Sequence, residues 1–427
     1  MTKWWHLFKK QKQIQDFSIY GFGQFFNLVT PLLVAPYVIS ICGEANFGKI
    51  AVGMALSFFL MVFIDFGSDL SGVRDVSIHR NQPQKLKEIL VSTYILRFFS
   101  LLFVLTISTI LFFYVPYFNK EKGLFFLSLS MVVGQFFNPI WFLQGLEKIK
   151  SITVINVLSK IIYLATVFVF IKKTEDYVYV NLFWGFGMCI VNLFALLFLF
   201  KNYKNFDFKF SWNELGTKFK TDFSIFSAQI FVSIQMYAPV FLLSFLGSNI
   251  MAGQYKIIEQ IINVFKTYIL LFFNFVFPKV CVRFQESNAQ GFKVWGVFNG
   301  INAVFIIIMM LVIYIFSTEV VAYFKPENIH KISDLLKIAV LIPIIVALSN
   351  PMKQVILAKN KNKEYVISVI AVVIISTIAL FFVVPTFEVL GMIWTIIAAE
   401  LVFLFVLVGF VYQQLKNTSF LHRNPIN

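Results

Sequence analysis

Apolar residues run through this chain in long blocks separated by short polar connectors, and the blocks do not alternate apolar with polar positions. A helix rises about 1.5 Å per residue, so about 20 residues cross the roughly 30 Å hydrocarbon layer of a bilayer. Blocks of that size recur from one end of the sequence to the other. The pattern predicts about twelve spans, at roughly 17–41, 47–67, 88–114, 123–144, 151–171, 177–200, 222–246, 250–277, 292–316, 335–357, 363–385 and 388–412. A β-barrel is excluded, because its strands would show the missing alternation.

The connectors test the count. Cytoplasmic segments of membrane proteins collect Lys and Arg, so a correct map places them in every second connector. Under a map with the N-terminus inside, the cytoplasmic connectors hold about three times as many basic residues as the opposite ones. A missed span would scramble that bias, and an even number of spans puts the C-terminus inside too. The chain also echoes itself. Phe17-Ser18-Ile19-Tyr20 opens span 1 and Phe223-Ser224-Ile225-Phe226 opens span 7. Gly48-Lys49-Ile50 is matched by Tyr255-Lys256-Ile257, and Asn138-Pro139 near the end of span 4 by Asn350-Pro351 near the end of span 10. The separations are nearly constant and fall in equivalent spans, which implies six helices duplicated into twelve. Each half has an even number of spans, so the repeat is parallel. The expected architecture is an all-α integral membrane protein of two parallel six-helix bundles, 1–205 and 206–427, joined by the basic connector at about 201–221.

Composition agrees with the pattern. Of 427 residues, 59% are hydrophobic and 13% charged, with a mean hydropathy of +0.80; a soluble domain has too few polar side chains to cover itself at those values. The 55 phenylalanines read as a codon bias. Cys42, Cys189 and Cys281 show no paired spacing, and His6, His79, His330 and His422 fit no metal motif, so neither a disulfide framework nor a metal site is expected. The basic N-terminus runs into span 1 without a small-residue cleavage site and reads as a retained leader. No cofactor and no nucleic-acid partner is expected.

Charges inside the spans carry the chemistry. Lys49, Arg97, Lys160, Lys256, Lys266 and Lys353 lie within them, with Glu259 and Glu400 as the clear acids. A charge at the bilayer centre costs about 2.5–3.5 kcal/mol on insertion scales, so it needs water, a partner or a route to the interface. Lys49, Arg97, Lys256 and Lys353 lie within reach of a helix end, where a long side chain can snorkel out. Lys160 lies about ten residues, or about 15 Å, from either end of its span and cannot. In span 8, Lys256, Glu259, Gln260, Asn263, Lys266, Thr267 and Asn274 recur at helical spacing and share a face. Such a stripe suits the wall of a hydrated vestibule; a polar zipper between packed helices is the alternative. Span 1 carries a weaker version in Gln24, Asn27 and Thr30, with Pro31 and Pro36 placed to bend it. By the repeat, spans 1, 2, 7 and 8 are equivalent and are expected to line a central cleft. Lys49, Lys160, Lys256, Asn263 and Lys266 are its expected substrate contacts, and the excess of cations favours an anionic cargo, phosphate above all.

Two segments resemble a known family. Ile64-Asp65-Phe66-Gly67-Ser68-Asp69-Leu70-Ser71-Gly72-Val73-Arg74-Asp75, after span 2, resembles the D-F-G…R signature of Wzx-type polysaccharide flippases. Asn138-Pro139-Ile140-Trp141-Phe142-Leu143-Gln144-Gly145-Leu146-Glu147-Lys148-Ile149-Lys150 is similar to that family's P-x-W-F-x-Q-G-x-E-K segment, with Leu143 where an aromatic is more usual. The resemblance implies the MATE-like fold of the multidrug/oligosaccharidyl-lipid/polysaccharide exporter superfamily. It also implies transport of undecaprenyl-pyrophosphate-linked repeat units of O-antigen or a similar surface polysaccharide, from the cytoplasmic to the periplasmic leaflet of the bacterial inner membrane. A polysaccharide polymerase and a chain-length regulator would be its partners. Asp65, Gly67, Arg74, Trp141, Gln144, Gly145, Glu147 and Lys148 match the motifs and are gating candidates, against a purely structural role. Glu259 and Glu400 are the candidates for coupling to a proton or sodium gradient.

Three rivals are weaker. A MATE-type cation or multidrug antiporter would be expected to show more acid than base in its cleft. A polymerase, the enzyme reading, would need a large catalytic loop on the opposite side, and no connector there is long enough. A passive scaffold has no use for Lys160 and Lys266 at mid-membrane.

Overall fold

The computed structural model describes residues 2–203, 212–359 and 362–421, which are helical almost throughout, with no strand among them. The elements are α1 (Thr2–Cys42), α2 (Glu44–Asp65), α3 (Ser71–Ile78), α4 (Pro83–Tyr114), α5 (Pro116–Asn119), α6 (Lys122–Phe136), α7 (Ile140–Gly145), α8 (Ile149–Phe170) and α9 (Val180–Asn202). They continue with α10 (Trp212–Leu246), α11 (Asn249–Glu286), α12 (Asn288–Ile315), α13 (Ser317–Ala322), α14 (Ile329–Ala339), α15 (Leu341–Ala358) and α16 (Asn362–Leu421). Local chemistry sets several boundaries. Gly43, at φ 82°, turns the chain between α1 and α2 in a conformation that favours glycine. Ser287 closes α11 and caps α12 by accepting from the Gln290 amide at 3.2 Å, and Ser248 and Asn328 cap α11 and α14 in the same way.

Among the described residues, eleven helical stretches are long and apolar enough to cross a membrane, which makes this a multi-pass membrane protein. The last of them, Tyr365–Gln413, spans 49 residues, more than twice what one crossing needs. Its helix α16 is broken at Glu388 (φ 51°, ψ −137°), just after Pro385, where the sequence pattern separates spans 11 and 12. Hydropathy sees two spans there, and the backbone agrees, because Glu388 leaves helical geometry and divides α16 into two helices. Span 4 differs from its pattern. The predicted helix at 123–144 is interrupted at Asn138-Pro139, because Pro139 has no N–H to continue it, and resumes as α7.

The chain forms two compact units, Met1–Phe241 and Leu242–Asn427. In the first, α6 packs on α9, α2 and α4, and α8 packs on α1 and α9. A core at one end joins Val76, Leu86, Leu90, Tyr94, Trp141 and Phe142. The first arm of α10 belongs to this unit. In the second unit α15 packs on α16, α11 and α12, with one cluster around Ile269, Ile306 and Met310 and another around Val355, Ile356 and Leu407.

Candidate functional site

The D-F-G segment forms a tight turn at the end of α2. Phe66 (φ 43°) and Gly67 (φ 79°) both take left-handed backbone conformations, which stops the helix at Asp65. Gly67 is required twice over, since a Cβ there would stand 2.9 Å from the Asp222 carbonyl. The turn leaves the Asp65 carboxylate facing α4 and α6. Its oxygens accept from Arg97 Nη2 at 2.7 Å and from Gln135 Nε2 at 2.8 Å. The Arg97 guanidinium also donates to Ser68 Oγ at 2.9 Å and to the Asn138 carbonyl at 2.7 Å. Asn138 Nδ2 in turn donates to Gln135 Oε1, and Asn138 Oδ1 accepts from the Ile140 amide that opens α7. Arg97 is 2% exposed and stands over the Tyr94 and Trp141 rings, 5.6 and 5.7 Å from their centroids. Arg97 does not snorkel to an interface, although its place near a helix end allows it. It turns inward instead, because Asp65 at a helix end offers a charged partner inside the protein.

The two motifs therefore meet. Trp141 is buried against Gly72, where a Cβ would lie 2.7 Å from the indole, and Gly145 gives the same close approach to Val76 at 2.6 Å. Large residue against glycine lets α3 and α7 touch. The remaining motif residues lie outside this knot. Arg74 pairs with its neighbour Asp75, Glu147 with Arg80 at 3.3 Å, and Gln144 and Lys148 are exposed. Arg97, Gln135 and Ser68 were missed as partners of Asp65. The only sequence signal for them was an unexplained arginine in a span whose charge needed an acid.

The D-F-G turn also grips α10. The Phe66 ring stacks on Phe219 and Phe226 at 4.8 and 4.6 Å, and Asp69 accepts from Gln229 at 2.7 Å.

The mid-span cations fall into two kinds. Most have an acid. Lys49 bonds Glu121 at 2.5 Å, and Tyr177 donates to the same carboxylate. Lys256 bonds Glu259 at 2.6 Å on the same face of α11, and the Lys266 charge acts on Glu400 from α16. Asn263 lies half-buried on α11 between those two lysines. Lys160 has no carboxylate partner among the described residues; its Nζ sits 3.2 Å above the centre of the Trp184 ring, a cation–π contact. Lys353 lies over Phe273 and Tyr365, and Lys359, beyond the end of α15, over Phe284 and Phe292, where burial lowers the pKa of its ammonium. Lys49 and Lys160 belong to the first unit, and Lys256, Asn263, Lys266, Glu259 and Glu400 to the second.

Comparison with known proteins shows the fold in other membrane proteins. An inward-facing multidrug resistance MATE family transporter of the MOP superfamily shares the fold with a TM-score of 0.70 at 13% identity, covering 92% of this chain and 96% of that one. The lipid II flippase MurJ in an inward closed conformation follows at 0.68 and 14%, covering 92% and 87%. A curated protein of Escherichia coli (strain K12) named "Putative O-antigen transporter" is 23% identical over 383 residues, 88% of this chain and 90% of that protein. A protein of Shigella dysenteriae with the same name is 22% identical over 274 residues, 64% and 68% of the two chains. The family described as polysaccharide biosynthesis protein matches residues 14–280, which hold both motifs and the Asp65–Arg97 knot. With that match extending over more than half of its length, the chain belongs to the polysaccharide biosynthesis protein family.

Proposed function

We propose that this protein is a flippase that moves undecaprenyl-pyrophosphate-linked oligosaccharide repeat units, of O-antigen or a similar surface polysaccharide, from the cytoplasmic to the periplasmic leaflet of the bacterial inner membrane. Lys160 carries the reading in the structure. Holding an ammonium over an indole at mid-span, with no acid among the described residues to neutralise it, leaves a net positive charge where an anion can be held. A relative named "Putative O-antigen transporter", aligned along 88% of this chain, supports a surface-polysaccharide cargo. A cation antiporter would be served poorly by such a site.

In this reading Lys49, Lys160, Lys256, Asn263 and Lys266 contact the pyrophosphate and first sugars, and transport proceeds by alternating access of two parallel bundles, 1–205 and 206–427. Glu400, which feels the Lys266 charge, and Glu259, bonded to Lys256, couple movement to a proton or sodium gradient. The released unit passes to a polymerase and its chain-length regulator. Deleting the gene should accumulate lipid-linked repeat units on the cytoplasmic leaflet. A Lys160→Ala, Lys266→Ala double variant present at normal membrane levels should restore little surface polysaccharide. Full restoration by that variant would remove the anionic-site mechanism.

A further inference from the structure

Between the last turn of α2, the Gly67 turn and the first arm of α10 lies a groove of about 560 Å³, within the first unit and lined by none of the lysines assigned to the cargo above. Most of its wall is apolar, formed by Val62, Leu70, Ile225, Ala228 and Val232. Its polar lining consists largely of acceptors. The Asp69 carboxylate takes the Gln229 Nε2 donor at 2.7 Å and, among the described residues, has no cation beside it. The other end of that amide, Gln229 Oε1, is buried with no partner among the described residues. Ser233, only 7% exposed, lines the same wall one turn further along α10. Asp65 also borders the groove, with its charge taken up by Arg97.

A buried acceptor left open costs about 1–3 kcal/mol, which a ligand bringing donors recovers. The ligand that fits has an apolar face for Val62, Ile225 and Val232 and hydroxyls along its edge for Asp69, Gln229 and Ser233. A pyranose ring has that division, and the volume lies in the usual range for small-molecule sites. The unbalanced Asp69 charge repels carboxylates. We propose that this groove is a sugar subsite that takes an uncharged or amine-bearing pyranose of the glycan and rejects uronic acids. The proposal rests on the flippase reading for its source of sugar, and it adds Asp69, Gln229 and Ser233 to the residues that decide which glycan is carried.

The test uses the full chain in nanodiscs, with a neutral disaccharide and a uronic-acid disaccharide as probes and saturation-transfer NMR as the readout. The neutral probe should bind and the acidic one should not. Ser233→Ala and Gln229→Leu should each weaken the neutral probe about tenfold, the effect of losing one hydrogen bond of about 1.4 kcal/mol. In a deletion strain the same variants, at wild-type membrane abundance, should export correspondingly less polysaccharide. Asp69→Asn, which keeps an acceptor and removes the charge, should admit the acidic probe. The subsite is overturned if the wild-type chain ignores the neutral probe, or if both variants bind it unchanged. If the deletion strain exports normally while the binding results hold, the flippase reading fails and the sugar groove stands.

Discussion

The two units treat the same sequence feature differently. Each holds an Asn-Pro pair, Asn138-Pro139 before α7 in the first and Asn350-Pro351 in α15 in the second. A proline inside a helix deprives the carbonyl four residues earlier of its partner. In the first unit the helix gives way, and Arg97 from α4 bonds the exposed Asn138 carbonyl and approaches that of Gln135 at 3.5 Å. In the second unit α15 runs straight through Pro351. There the Pro351 carbonyl accepts from Trp295 Nε1 of α12 at 2.8 Å, and Asn299 of the same helix donates to Gln354 Oε1 at 2.9 Å. A neighbouring helix thus supplies the donor in each case, α4 in the first unit and α12 in the second. In the first it is a cation that brings in Asp65 and hence the D-F-G turn; in the second it is an indole and an amide, both neutral. The second unit has a plain structural joint where the first has its joint wired to a turn that holds α10.

The comparison can be broken most severely at Arg97. Arg97→Leu strands the Asp65 carboxylate among apolar groups and should cost about 3–5 kcal/mol, while Asp65→Leu, Arg97→Leu together should recover most of it. Thermal unfolding in detergent reads both. A double variant no more stable than the single would mean that the pair does not act as a unit. Gly145→Ala comes next, at about 1–3 kcal/mol, because the new methyl group meets Val76 and must push α3 and α7 apart. Limited proteolysis near α3 should rise with it. The smallest effect belongs to the neutral joint. Trp295→Phe keeps the ring and loses the bond to Pro351, and should cost about 1 kcal/mol in the same melt. A loss as large as that at Arg97 would erase the distinction between the units.

The charge bias and the apolar blocks located the spans because both are local properties, set by what each stretch meets when it enters a bilayer. The Asn-Pro pairs were visible too, along with the motifs that enclose them. Arg97 was misread for a physical reason. Its distance from a helix end allowed a route to water, and no rule of spacing on α4 says that the end of α2 would present an acid to it. Lys160 shows the reverse case: its depth was legible, since it depends only on counting residues, but the indole beneath it comes from α9.

The sequence by itself determined that this chain is a bundle of membrane helices with about twelve crossings, which segments turn, and which charges are buried deeply enough to need an explanation. Hydrophobic length, proline and glycine act within a few residues of where they stand. Tertiary structure decided which acid answers which base, that Phe66 and Asp69 hold α10 while Asp65 holds Arg97, and where acceptors were left open beside an apolar wall. Those outcomes depend on the approach of side chains from separate helices, where an ångström decides between a bond and a gap.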